Sequence, residues 1–156
     1  MERWREKARE EFPELEEGIG EVDSPMGLWI ELWCAFAAAY ESDPIDRGTV
    51  DRIYSFAEWC SKQPQVDDAC FDLPTCAAHG FYEHLPTIPQ ARTEMHHRLS
   101  REEVELMRGI FGYFLGPDEW DSLMKTFDAP TGTRELRKSR RADAQARRPK
   151  WSDVKG

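Results

Sequence analysis

A chain of 156 residues, 40% hydrophobic and 12% aromatic, is long enough to bury a sizeable core and too apolar to be disordered. Thirty acidic residues against 21 basic ones give a net charge of −9. The opening MERWREKAREEF is charged from its second residue, unlike a secretory signal, and the longest apolar run, Leu28 to Tyr40, contains Glu31 and is too short to span a bilayer.

Met1 to Glu17 reads as one or two short amphipathic helices with Trp4, Phe12 and Leu15 as apolar contacts, after which GIGEVD breaks the pattern. Ser24 can cap and Pro25 can open the next helix, in which Trp29, Leu32, Trp33, Phe36 and Tyr40 recur at helical spacing. Its other faces are also mostly apolar, which predicts a central helix. Beyond SDPID, Val50, Ile53, Tyr54, Ala57 and Cys60 form a second stripe. SKQPQVDD is a loop, and Asp72 with Pro74 opens a helix that Pro86 ends. A short helix follows Pro89. Ser100 and Glu103 have capping-box spacing, with Leu99 and Val104 as the hydrophobic staple, and predict a helix through Met107, Ile110, Phe111 and Phe114. Gly116 and Pro117 separate it from a last helix bearing Trp120, Leu123, Met124 and Phe127.

No stretch alternates with period two and no repeat is visible, so the expected class is all-α, a compact bundle of roughly six or seven helices. Residues 131–156 hold nine Lys/Arg and three Asp/Glu, a charge of +6, which leaves −15 on the first 130 residues. This divides the chain into an acidic helical domain, 1–130, and a basic tail, 131–156, flexible or frayed and with little to bury beyond Leu136, Trp151 and Val154. The acidic body repels phosphate, which places a nucleic-acid contact through the tail behind a protein partner. Cys34, Cys60, Cys70 and Cys76 show no CxxC spacing, and Cys34 and Cys60 lie in apolar helical patterns where a free thiol packs as a small hydrophobe. A reducing, cytoplasmic setting is expected.

The densest chemistry is TCAAHGFYEHLP, Thr75 to Pro86. On a regular helix Leu73, Cys76, Ala77, Gly80 and His84 share the inner face, Phe81 and Glu83 flank it, and Thr75, Ala78 and Tyr82 point away. Gly80 then marks a close helix crossing. Cys76, His79 and Glu83 follow i, i+3, i+7 spacing and are the candidate metal ligands, completed by a distant His96 or His97. Glu83 with His84 is the candidate acid–base pair. Against both stands a packing helix: a His and Glu one turn apart form a modest local pair, the two-histidine HExxH arrangement is missing, and adjacent His96 and His97 diverge by about 100° on a regular helix. The expectation is therefore a packing helix without metal or cofactor, with His84 buried as a polar core contact. Trp59, outside the stripe of its helix, and Tyr82 are the candidate interaction anchors, unless neighbouring helices or the N-terminal segment cover them.

DRIYSFAEWC, FYEHLP and LSREEVELMRGIFGYFL together resemble a family of small uncharacterised bacterial helical proteins that share IYxxAxWC-like and FYEHLP-like helices. The resemblance spans roughly Leu28 to Met124. It implies a bacterial cytoplasmic helical domain, singles out Trp59, Cys60, Phe81, Tyr82, Glu83 and His84, and implies no activity. Size and charge favour a non-enzymatic protein-interaction module, comparable to immunity and antitoxin proteins in those two respects alone. The alternative is a metal-dependent or acid–base enzyme centred on Glu83 and His84.

Overall fold

The structure, a computed structural model, describes residues 2–128. The expectations for the basic tail lie outside the described residues. Within them the chain is all-α, and no strand occurs.

Local chemistry fixes most helix starts. The Ser24 hydroxyl accepts the Gly27 N–H at 3.2 Å, opening α3, Pro25–Glu41, with proline at its first position. Asp46 caps α4, Arg47–Ser61, by accepting the Thr49 N–H. The Asp72 carboxylate accepts the N–H groups of Thr75 and Val66, so it caps α5, Leu73–Ala77, and pins the preceding loop. Ser100 and Glu103 exchange both bonds of a capping box at α7, Arg101–Leu106. At α9, Pro117–Thr126, the Glu119 carboxylate accepts the Gly116 N–H.

The N-terminal α1, Arg3–Glu11, and α2, Glu16–Glu21, pack beside α3 and α4. α2 runs through Gly18 and Gly20, where a break was expected. Two glycines oppose helix by about 1 kcal/mol each, and the fully buried Ile19 between them offsets that cost. The helix expected from Val104 to Phe114 divides at Met107 into α7 and α8, Arg108–Phe111, with α6, Pro89–Glu94, preceding them. Val104 and Phe111 are buried, but Phe114 is 49% exposed, because the chain leaves the helix at Gly112.

The core is built on Phe81, which is fully buried. Its ring stacks on Trp29 with centroids 5.5 Å apart and meets Phe36 and Tyr54 edge-on at 5.0 and 5.2 Å. Such pairs contribute about 0.5–1.5 kcal/mol each beyond the area they bury. Phe81 reaches Trp29 because its neighbour is Gly80. A Cβ on Gly80 would lie 2.4 Å from Trp29 Cβ and 2.8 Å from its Cγ, so this is the close crossing the sequence indicated. Residues 78–82 form a π turn, and the Glu83 N–H donates to the Ala78 carbonyl five residues back at 2.9 Å.

Ion pairs link elements around this core. The Arg47 guanidinium grips Glu94 in α6 at 2.5 and 2.9 Å while the Tyr40 hydroxyl donates to the same carboxylate at 3.0 Å. Arg47 thereby holds the Glu94 carboxyl below its ordinary range, and burial with this hydrogen bond pushes the Tyr40 phenol up to about 12. Arg52 grips Glu14 and donates to the Glu11 carbonyl, tying α4 to the N-terminal segment.

Gly80→Ala should lower stability by about 1–3 kcal/mol despite its better helix propensity, since the atom it meets is a Cβ fixed to the Trp29 backbone. Chemical denaturation measures it. A variant as stable as the parent would mean that α3 and the π turn do not cross here.

Candidate functional site

The π turn decides where the side chains of Thr75 to Pro86 go. It takes up one more residue than an α turn, so side chains beyond it lag by roughly the 100° of one helical residue. Leu85, five residues after Gly80, is fully buried in the inward place that a regular helix gives to His84, four residues after it. Tyr82 follows the same correction: it is 8% exposed, against Phe81 and Phe111 at 5.3 and 5.6 Å, and presents no anchor to a partner. Burial pushes its phenol up to about 12.

Glu83, placed on the rim by the helical wheel, is 9% exposed. Its Oε2 lies 2.7 Å from His79 Nδ1, on a side chain 52% exposed. With Nδ1 donating to the carboxylate, Nε2 is the basic ring nitrogen. Cys76 does not join this pair. Its thiol is buried and donates to the carbonyls of Cys70 and Ala69 at 3.3 and 3.4 Å. Burial, helped by the Asp72 charge, pushes it up to about 11, so at neutral pH the free sulfur is a thiol. His84 pairs with neither. Its ring lies 5.4 Å from Trp33 and 5.1 Å from Phe114, half-buried. The expected acid–base couple of Glu83 and His84 is therefore divided between two environments, and the buried carboxylate has His79 as its partner instead.

His96 and His97 contact each other, ring centroids 3.9 Å apart, in a 3-10 turn after α6, with Phe127 beside His96. Among the described residues no three His, Cys, Asp or Glu side chains converge as a metal site. Two surface depressions lie away from the π turn, one lined by Glu2, Arg5, Glu6, Arg9 and Asp23, the other between Phe12, Leu15 and the Ala35–Ala39 side of α3.

Of the expected anchors, Trp59 is half-buried, stacked on Phe56 at 5.7 Å and capped by the Arg3 guanidinium at 5.8 Å, so the N-terminal helix covers it. Cys60 is buried as expected, whereas Cys34 is exposed; all four thiols are free.

The surface that periodicity missed is aromatic. Trp33, His84, Phe114 and Tyr113 form one continuous chain of ring contacts, closed by Tyr113 against Phe114 at 4.9 Å. Tyr113 is 68% exposed, and Ile30, one turn before Trp33 on α3, is 65% exposed. Exposed Cys34 and half-buried Ala37 lie on the same outward side of α3, so from Ile30 to Ala37 this side carries no charged group, and exposed Glu41 closes it at the end of the helix. The expected break at Gly116 and the Tyr113–Phe114 pair before it were the signal: two large rings directly ahead of a helix stop.

Comparison with protein-family models, with curated proteins and with solved structures gives no match to this chain.

Removing the imidazole with His79→Ala should lower stability by about 1 kcal/mol, because the Glu83 carboxylate then loses its hydrogen-bond donor at a site half open to water. Excess zinc should leave the melting temperature unchanged. One-to-one zinc binding abolished by both His79→Ala and Glu83→Ala would contradict this and favour a metal centre.

Proposed function

We propose that this chain is a non-enzymatic protein-interaction module and that it docks its partner on the face formed by Ile30, Trp33, His84, Tyr113 and Phe114. One observation carries the reading: three of the six large exposed apolar side chains of the described residues, Ile30, Tyr113 and Phe114, accompany the ring contacts of Trp33 and His84, in a protein whose described surface is otherwise rich in ion pairs. Aromatic groups half-packed against their own fold lose little side-chain entropy on binding, which suits them as anchors. Their rigidity here comes from the core beneath: Trp33 stacks on Phe36 at 5.6 Å. The resemblance to small bacterial helical proteins and the four free thiols suit a bacterial cytoplasmic setting. No helix of the described residues is long and apolar enough to cross a membrane.

An acid–base role is the less favoured reading. The His79–Glu83 pair has an oriented imidazole, but the acid–base reading needs a neighbouring group to act on, and Cys76 is held protonated and turned to carbonyls.

Site-specific photo-crosslinking in native cells tests the proposal. A benzoylphenylalanine at position 30 or 113 should give a discrete adduct with a second protein, and one at Glu10, exposed on α1, should give none. Adducts at Glu10 with none at 30 or 113 would place the interface elsewhere.

A further inference from the structure

We infer that the occupant of this face is a cationic amphipathic segment of a partner protein, whose large apolar side chains seat on Ile30, Trp33 and Tyr113 while its lysines or arginines meet the surrounding carboxylates. The inference rests on the reading of the face as an interface.

The face is apolar and its frame is acidic. Three segments build it: α3, residues 73–88 around the π turn, and residues 101–119. Together they contain eight carboxylates, Glu31, Glu41, Glu83, Glu102, Glu103, Glu105, Asp118 and Glu119, against two arginines. Both arginines are engaged within the fold, as are three of the carboxylates, Glu83 by His79, Glu105 by Arg101 and Glu119 by Arg92 of α6, while Glu31, Glu41, Glu102 and Asp118 are exposed. Arg101 bonds Glu105 at 2.9 Å and also Asp128, and the Arg108 guanidinium lies over the Trp120 ring at 5.0 Å. Glu31, Glu102 and Glu105 are exposed, as is Leu106 next to Glu105, at 85%.

An apolar strip in such a frame selects by sign. It attracts cations at its edges and repels anions across several ångströms of water, which speeds the encounter and fixes orientation more than it adds affinity. Nucleic acid and anionic lipid are disfavoured by the same field. A second copy would bring acidic frame against acidic frame. The chain's own residues 131–156 carry +6 but offer only Leu136, Trp151 and Val154 as large apolar groups, too few for an apolar stripe. An amphipathic helix with a lysine- or arginine-rich rim fits both the strip and the frame, in the helix-on-groove mode of recognition.

Calorimetry of the full chain with two designed peptides tests this: a leucine/lysine amphipathic helix and a leucine/glutamate helix of the same pattern. The leucine/lysine peptide should bind one-to-one. Its affinity should fall about tenfold or more in an Ile30→Ser/Tyr113→Ser variant of unchanged melting temperature, and several-fold in Glu31→Gln/Glu102→Gln or on adding salt. The leucine/glutamate peptide should not bind. Leucine/lysine binding unmoved by the serine variant, or no binding of either peptide, would overturn the inference. Binding of the leucine/glutamate peptide that the serine variant abolishes would keep the interface and refute its cationic partner. Concentration-dependent dimerisation in light scattering, lost in the serine variant, would make a second copy the occupant.

Discussion

Where Gly80 crosses Trp29, two segments approach more closely than any other residue at position 80 would allow. That closeness lets Phe81 lie against Trp29, Phe36 and Tyr54, and so joins α3, α4 and the π turn through one buried ring cluster. The π turn is the means by which a short segment meets both demands. It holds Gly80 on Trp29 and still brings Tyr82 and Leu85 inward, which a regular helix, with those residues about 200° and 140° round from Gly80, does not permit. The displaced residue is His84, which leaves the core and becomes part of the surface.

Surface and core are thus one construction. Trp33 is packed on Phe36 below and touches His84 at its edge, and His84 is in turn covered by Phe114. The aromatic face is an outward continuation of the ring cluster, held by the same contacts that stabilise the fold. The ion pairs play a different part. Arg47 with Glu94, Arg52 with Glu14 and Arg98 with Asp51 join elements distant in sequence, but each is partly open to solvent and worth at most about 1 kcal/mol. They tie the outer helices to one another.

What could be read from the sequence was local. Ser24, Asp72 and the Ser100–Glu103 pair cap their helices through atoms within three residues, so their roles follow from spacing alone. Gly80 was also legible, because a glycine amid apolar residues on a helix signals close approach. The side-chain directions after it were not. A wheel assumes one constant rotation per residue, and the extra residue in the π turn exchanges the places of Glu83, His84 and Leu85. Pro86, which offers no N–H to a carbonyl four residues earlier, marks where regular helix must fail but not how the chain turns before it. The break at Met107 was hidden for the opposite reason: Val104, Met107, Ile110 and Phe114 keep helical spacing across a point where the backbone does not. The candidate site moved accordingly: the π turn took His84 out of the core, and Phe114, past the break, covers it at the surface.

The central claim is that the π turn presses Gly80 against Trp29 and delivers His84 to the surface between Trp33 and Phe114. Nuclear Overhauser contacts in solution test it most directly. The account predicts strong cross-peaks from the Gly80 α-protons to the Trp29 β-protons, and from the His84 ring to the rings of both Trp33 and Phe114. A His84 ring that contacts Cys76 and Leu73 instead, with Gly80 remote from Trp29, would contradict it.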